Sequence, residues 1–206
     1  MRKISFFASL MTIAAIVATA PATVLAEGSA DAGQAKSAVC AACHGADGNS
    51  VNPEWPSLAG QHVSYLASQI TAFKDQSRQN PLMSAQAAAL TDEDAQDLAA
   101  FYSQQVLASK EADAATVNRG KAIYRGGDPD RGISACIACH GPNGLGNPLA
   151  GYPVIASQHS VYVANQLRLY ASGERRSDPN QMMRSIARNM TEEDIKAVSS
   201  FVQGLR

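Results

Sequence analysis

Cys40-Ala41-Ala42-Cys43-His44-Gly45 and, further on, Cys136-Ile137-Ala138-Cys139-His140-Gly141 are the two stretches that decide how this 206-residue chain is read. All four of its cysteines lie in these two C-x-x-C-H units. In an exported protein that spacing reads as covalent attachment of a c-type haem. Two thiols three residues apart at the end of a helix can each form a thioether to one haem vinyl group. The next residue, His44 or His140, then lies under the iron as proximal ligand. Cys40, Cys43, Cys136 and Cys139 are therefore the candidate attachment residues for two covalently bound haems c. Other chemistries use the same residue types. Disulfides suit an oxidising compartment, but leave two matched histidines as coincidence. A redox-active dithiol lacks its βαβ context here. A zinc site is the remaining alternative.

Outward from these units the chain is an internal duplication. Asp47-Gly48-Asn49 is echoed by Asn143-Gly144-Leu145-Gly146-Asn147, and Trp55-Pro56-Ser57-Leu58-Ala59 by Tyr152-Pro153-Val154-Ile155-Ala156. Gln61, His62, Tyr65 and Gln69 match Gln158, His159, Tyr162 and Gln166; Thr91-Asp92-Glu93-Asp94 matches Thr191-Glu192-Glu193-Asp194, and Phe101 matches Phe201. The order is conserved between the halves while the offset grows slowly, as small loop insertions would produce. The boundaries read as residues 27–108 and 116–206, joined by a polar, small-residue linker over 109–115.

Each half reads as all-α. Opening helices are expected over 30–43 and 116–125, with Gly33 and Gly120 permitting close helix crossing. Middle helices are expected over 62–74 and 159–172. Closing helices begin at Thr91 and Thr191, each with a Thr N-cap and acids in its first turn. In the last, Ile195, Val198, Phe201 and Val202 fall at helical spacing and should face a core. No alternating β-branched run supports a sheet.

The N-terminus reads as a leader. Arg2 and Lys3 precede an uncharged, apolar stretch from Ile4 to Ala20, and Val24-Leu25-Ala26 fits a small-x-small cleavage site, so residues 1–26 are a signal peptide and the destination is the periplasm. Left uncleaved, the same stretch would be a marginal membrane anchor, interrupted by Ser, Thr and Pro21. Hydrophobic residues make up 46% and charged residues 17% of the chain, which suits a globular protein; aromatics, at 6%, are too few for two thick cores, a shortfall that a large buried cofactor in each half would remedy. The formal net charge of −1 hides an asymmetry: residues 27–108 hold nine acids against three bases, whereas residues 116–206 hold eleven bases against seven acids. Opposite signs on the two halves can orient a docking encounter. The basic residues are scattered and not interleaved with aromatics, which speaks against nucleic acid.

A sixth iron ligand must come from elsewhere in each half. Met83 stands eight residues before Thr91 and Met183 eight before Thr191, so repeat logic selects these two over Met182 and Met190. Methionine can also simply fill core gaps. Thioether ligation raises the reduction potential, as suits an electron carrier. His62 and His159 form a rival, bis-histidine set, but read better as polar contacts at a helix start. Pro56 and Pro153 follow the haem histidines by 12 and 13 residues. A proline carbonyl there would accept the His Nδ1–H bond and fix the tautomer. Trp55, Tyr65, Tyr152 and Tyr162 read equally well as haem-edge residues, propionate donors or plain core aromatics.

The ordered set CAACHG, WPSLAGQ, RGGDPDRGISACIACHG, NGLGNPLAGYP, YPVIASQ and DIKAVSSFVQGL resembles the dihaem cytochrome c4 family across nearly the whole mature chain. The resemblance implies two tandem class I cytochrome c domains related by a pseudo-twofold, each with His–Met iron. It implies a periplasmic, often membrane-associated protein that relays single electrons from a quinol-oxidising complex toward a terminal oxidase. Ser157, where the first repeat has Gly60, departs from the pattern, and the Met182-Met183 pair leaves two candidates for the second axial position. Two other functions use similar parts. One is a cytochrome subunit of a catalytic complex, such as a flavocytochrome c sulfide dehydrogenase. The other is a dihaem peroxidase, which needs an open iron position that paired methionines would close.

Overall fold

Each half opens with a short helix that must cross its closing helix closely. In the computed structural model, which describes residues 28–206, the first half comprises α1 (Ala30–Lys36), α2 (Ala38–His44), α3 (Val63–Lys74), α4 (Pro81–Ala87) and α5 (Asp92–Ser103). The second repeats the order with α6 (Val117–Gly126), α7 (Ile137–His140), α8 (Ser160–Ser172), α9 (Met182–Ala187) and α10 (Glu192–Gln203). Two 3-10 turns and two isolated antiparallel bridges complete the regular structure, and no strand occurs among the described residues. The leader expected over residues 1–26 lies outside the described residues.

The crossing falls at the expected glycines. A Cβ on Gly33 would collide with the Asp97 carbonyl and Phe101, and one on Gly120 with the Ala197 carbonyl and Phe201. The closing helices start where the threonines indicate. The Thr91 and Thr191 hydroxyls accept the N–H of Asp94 (3.0 Å) and Asp194 (3.2 Å), whose carboxylates accept the threonine N–H in return. Those aspartates also tie the crossing helices together. Lys36 donates to Asp94 at 2.6 Å and Asp97 at 2.7 Å, while Arg119 and Arg131 each reach the fully buried Asp194 at 2.6 Å. Burial pushes the Asp194 carboxyl up, but Arg131, Thr191 and Arg119 outweigh it and hold the group well below the usual carboxylate range.

One expected helix is broken, and three short helices fall outside the expected ranges. The opening helix of the first half breaks at Ser37, whose hydroxyl bonds back to the Gln34 carbonyl at 2.8 Å and competes with the helix ladder. In the second half the haem motif lies on its own one-turn helix, α7, after a turn closed by the Asp128–Ile133 bridge. The short helices α4 and α9, which carry the candidate methionines, have no clear sequence signal beyond Asn80-Pro81; there Asn80 caps α4 by accepting the Met83 N–H at 3.0 Å.

Each half has its own core. The first centres on Leu66, Ala67, Leu98, Ala99, Phe101 and Tyr102; the second, larger, includes the expected Ile195, Val198, Phe201 and Val202, with Tyr124 against Phe201 at 5.3 Å.

Two substitutions test this frame. Gly120→Ala should lower stability by about 1–3 kcal/mol, because the clash is with backbone that cannot yield; urea unfolding of the haem-loaded protein measures it. Asp194→Asn should cost about 3 kcal/mol at neutral pH by breaking a buried pair. Because the folded carboxyl titrates below its unfolded value of about 3.9, the native contribution is present above that pH and is lost on further acidification. The unfolding curves of variant and wild type should therefore converge as the pH falls below about 4.

Candidate haem-binding site

The helix ends deliver the two haem motifs to one cavity. Cys40 and Cys43 stand one turn apart on α2, which ends at His44; Cys136 precedes α7, which carries Cys139 and ends at His140. All four thiols are unpaired and half-buried. Burial pushes the Cys40 thiol up and the Cys136 thiol up to about 11, the reverse of what a redox-active dithiol requires. Among the described residues no group of three or more His, Cys, Asp or Glu side chains is placed to hold a metal ion, so the zinc alternative has no donor set.

Both histidines are buried and their tautomer is fixed. The His44 Nδ1–H donates to the Pro56 carbonyl at 2.8 Å and the His140 Nδ1–H to the Pro153 carbonyl at 3.1 Å. A carbonyl can only accept, so the proton sits on Nδ1 and Nε2 is left bare. Burial lowers the basicity of both rings, partly offset by the proline carbonyls. The bond expected of Pro56 and Pro153 is therefore present in both halves.

Met83 on α4 and Met183 on α9 line the same cavity. They share a register: each stands four residues before a fully buried alanine, Ala87 or Ala187, that pins its helix to the core. The neighbouring Met182 differs, its sulfur lying 3.8 Å from the Tyr152 hydroxyl.

His62 and His159 are engaged elsewhere. Their Nε2–H groups donate to the Leu145 and Ser50 carbonyls of the opposite half, each at 2.8 Å. The matched glutamines beside them do likewise: Gln158 brackets the backbone N–H and C=O of Ser57, and Gln61 brackets the N–H of Val154 and its carbonyl. Lys110 of the connecting segment donates to Ser157 O at 2.8 Å and Ser57 Oγ at 3.3 Å, again spanning both halves. Ser157 keeps the left-handed backbone of Gly60 (φ 51° against 67°), steadied by bonds from its N–H to the Val202 and Leu205 carbonyls.

Arg78 and Arg175 join the two halves, and the motif reading passes over them. Arg78 donates to Gln69, Tyr162 and Gln166, and Arg175 to Gln166, Tyr65 and Gln69, all at 2.8–2.9 Å. Tyr65 and Tyr162 thus act across the interface, as acceptors. The two guanidiniums are buried, share both glutamine oxygens, and have no carboxylate partner among the described residues. The discoverable signal was their spacing, nine residues after Gln69 and after Gln166.

The cavity these residues line measures about 2710 Å³ and runs through both halves; an ordinary small-molecule pocket measures roughly 300–1,000 Å³. Its walls present two thiol pairs, two bare imidazole nitrogens, methionine sulfurs, Trp55 and core apolar residues, with two uncompensated cations between the halves. That donor set fits two haems, each with carboxylates to set against a cation.

The comparisons with known proteins agree. The family model described as cytochrome c matches twice, over residues 30–105 and 117–206. The chain is 45% identical to cytochrome c4 of Pseudomonas aeruginosa, covering 87% of this chain and 90% of that one. It is 36% identical to a thiosulfate dehydrogenase electron acceptor of Stutzerimonas stutzeri, covering 79% and 76%. The crystal structure of reduced recombinant cytochrome c4 from Pseudomonas stutzeri superposes with a TM-score of 0.85 at 42% identity, covering 87% of this chain and all of that one. Two haems c are the covalent cofactors of this chain.

Proposed function

This chain belongs to the cytochrome c4 family, and on that premise we propose that it relays single electrons in the periplasm, from a quinol-oxidising complex toward a terminal oxidase. It is an electron carrier, not an enzyme. The observation that carries the electron-carrier reading is the pair of buried histidines lining the cavity, each with its proton committed to a proline carbonyl and its Nε2 left bare.

In this reading His44 with Met83 and His140 with Met183 would hold the two irons, with Cys40, Cys43, Cys136 and Cys139 as the covalent anchors. The shared register of Met83 and Met183 before Ala87 and Ala187 supports this choice, and the Tyr152 contact to Met182 favours Met183 in the second half. Each haem supplies one reversibly exchanged electron. The protein's own part is to hold the imidazole tautomer, to offer a thioether that would serve as the second ligand, and to keep water from the cavity with core residues such as Leu66, Leu98, Val198 and Val202. Arg78 and Arg175 would set positive charge against haem carboxylates placed between the halves. The domains in this reading are residues 27–108 and 116–206, joined by 109–115, behind a leader over 1–26 that directs export. No helix among the described residues is long and apolar enough to cross a membrane.

A second reading keeps the chemistry and changes the donor. The similarity to a thiosulfate dehydrogenase electron acceptor favours delivery of electrons by a dehydrogenase. The opposite charge on the two halves suits either donor by giving encounter complexes a direction. Purification of the native protein separates these versions: reduction by a quinol-oxidising membrane fraction supports the first, and reduction only by a co-purifying dehydrogenase supports the second.

Two sets of variants test the site. Wild-type protein should ignore carbon monoxide, whereas Met83→Ala and Met183→Ala should each open one haem to it and lose about half of the methionine-to-iron absorption band. Met182→Ala should leave both haems closed; carbon monoxide binding there would transfer the second ligand to Met182. Arg78→Gln and Arg175→Gln should lower the reduction potentials, since loss of a buried cation favours the more positively charged oxidised state. Potentiometric titration reads this directly, and unchanged potentials would show that the arginines serve packing alone.

A further inference from the structure

The hydrogen bonds that join the two halves also reach the haem histidines, and they do so crosswise. The carbonyl of Pro56 and the N–H of Ser57 belong to one peptide group. Its carbonyl accepts the His44 Nδ1–H at 2.8 Å, while its N–H donates to Gln158 Oε1 of the other half at 2.9 Å. The second half repeats this arrangement. The Pro153 carbonyl accepts from His140 at 3.1 Å, and the N–H of the same peptide, on Val154, donates to Gln61 Oε1 at 2.9 Å.

Both glutamines are buried, and their amide orientation is fixed by their partners. Gln158 Nε2 donates to Ser57 O at 2.9 Å and Gln61 Nε2 to Val154 O at 2.8 Å, so Oε1 must face the N–H in each case. Hydrogen bonds in a buried chain polarise one another. An amide whose N–H is engaged carries more negative charge on its carbonyl oxygen. That oxygen holds the Nδ1 proton more strongly and makes Nε2 the better donor to iron.

We propose that Gln158 and Gln61 are positioning residues that set the reduction potential of the haem in the opposite half, Gln158 acting on the His44 site and Gln61 on the His140 site. The inference rests on the reading of His44 and His140 as axial ligands. A more basic imidazole favours oxidised iron, so each glutamine lowers the potential of its target. The interface is then part of each ligand field, and the halves are electronically dependent without sharing a ligand.

The test uses the full haem-loaded chain with Gln158→Met and Gln61→Met, which keep length and remove the polar atoms. Each haem's potential is followed through the NMR signals of its own methionine ligand during redox titration. Gln158→Met is expected to raise the potential of the His44 haem and leave the other in place; Gln61→Met is expected to do the reverse. A general loosening of the interface would move both haems together or only stability in urea, and either result overturns the proposal. Gln158→Glu retains the acceptor oxygen and is expected to give no rise at the His44 haem; a rise equal to that of the Met variant also overturns it. The ligand reading is checked separately in the wild type: absence of imidazole-bound iron at either haem there would sink the axial assignment itself.

Discussion

The bond from each haem histidine to a proline carbonyl is the contact around which the rest is arranged. An imidazole can ligate iron through Nε2 only if its proton stays on Nδ1, and a buried Nδ1–H must find an acceptor. The acceptor lies on a loop with no regular structure of its own, so the loop has to be anchored. In the first half the Gly48 carbonyl accepts the N–H groups of Leu58 and Ala59, at 2.7 and 3.1 Å. In the second the Gly144 carbonyl accepts those of Ile155 and Ala156, at the same two distances. The loop is therefore fixed just beyond the proline from within its own half, and at the proline's peptide from the other half. The helix crossing at Gly33 and Gly120 supplies the remaining constraint, since it sets where the opening segment can deliver the cysteines.

A duplicated sequence gives each half the same surface, and two copies of one surface can pair about a twofold, as in an isologous dimer. The contacts between the halves follow that rule. Gln61 and Gln158, His62 and His159, and Arg78 and Arg175 each make one bond set in each direction. Because all of these groups except the half-buried His62 are buried, losing one side of a pair leaves polar atoms stranded on the other, which costs about 1–3 kcal/mol for each stranded buried group. A polar interface of this kind specifies one relative placement of the halves more sharply than apolar contact would.

Much of this was legible in the sequence wherever chemistry is local. The C-x-x-C-H units, the threonine caps, the glycines at the crossings and the proline twelve or thirteen residues beyond the histidine each depend on near neighbours or on matched spacing. Most of what is not legible depends on partners distant in the chain. The matched histidines were recognised as contacts, but nothing local says that Ser50 and Leu145 receive them. The helices α4 and α9 are too short to show a period, so methionine placement came from the repeat and not from helix pattern. Ser37 broke an expected helix through a hydroxyl bond that competes with the ladder. Arg78 and Arg175 stood in sequence like any surface cation, because burial is a tertiary property.

Those two arginines show how far the fold and its cofactors depend on each other. Burying a cation without a counter-charge is costly, and two side by side add repulsion. Phe73 and Tyr170 rings lie 4.5 and 4.6 Å from the guanidiniums, and glutamine and tyrosine oxygens fill part of their donor set, but all of these partners are neutral. The surrounding positive charge is visible at Tyr65. Burial pushes its phenol up, yet Arg175 and Arg78 bring it below its ordinary value. A polypeptide that carries this unbalanced pair at its centre, with a core of modest size on either side, is not at its most stable alone. Haem carboxylates set against these cations would complete the electrostatics, and two macrocycles would complete the cores, so the placement of the two halves is tied to the groups that the cavity is built to hold.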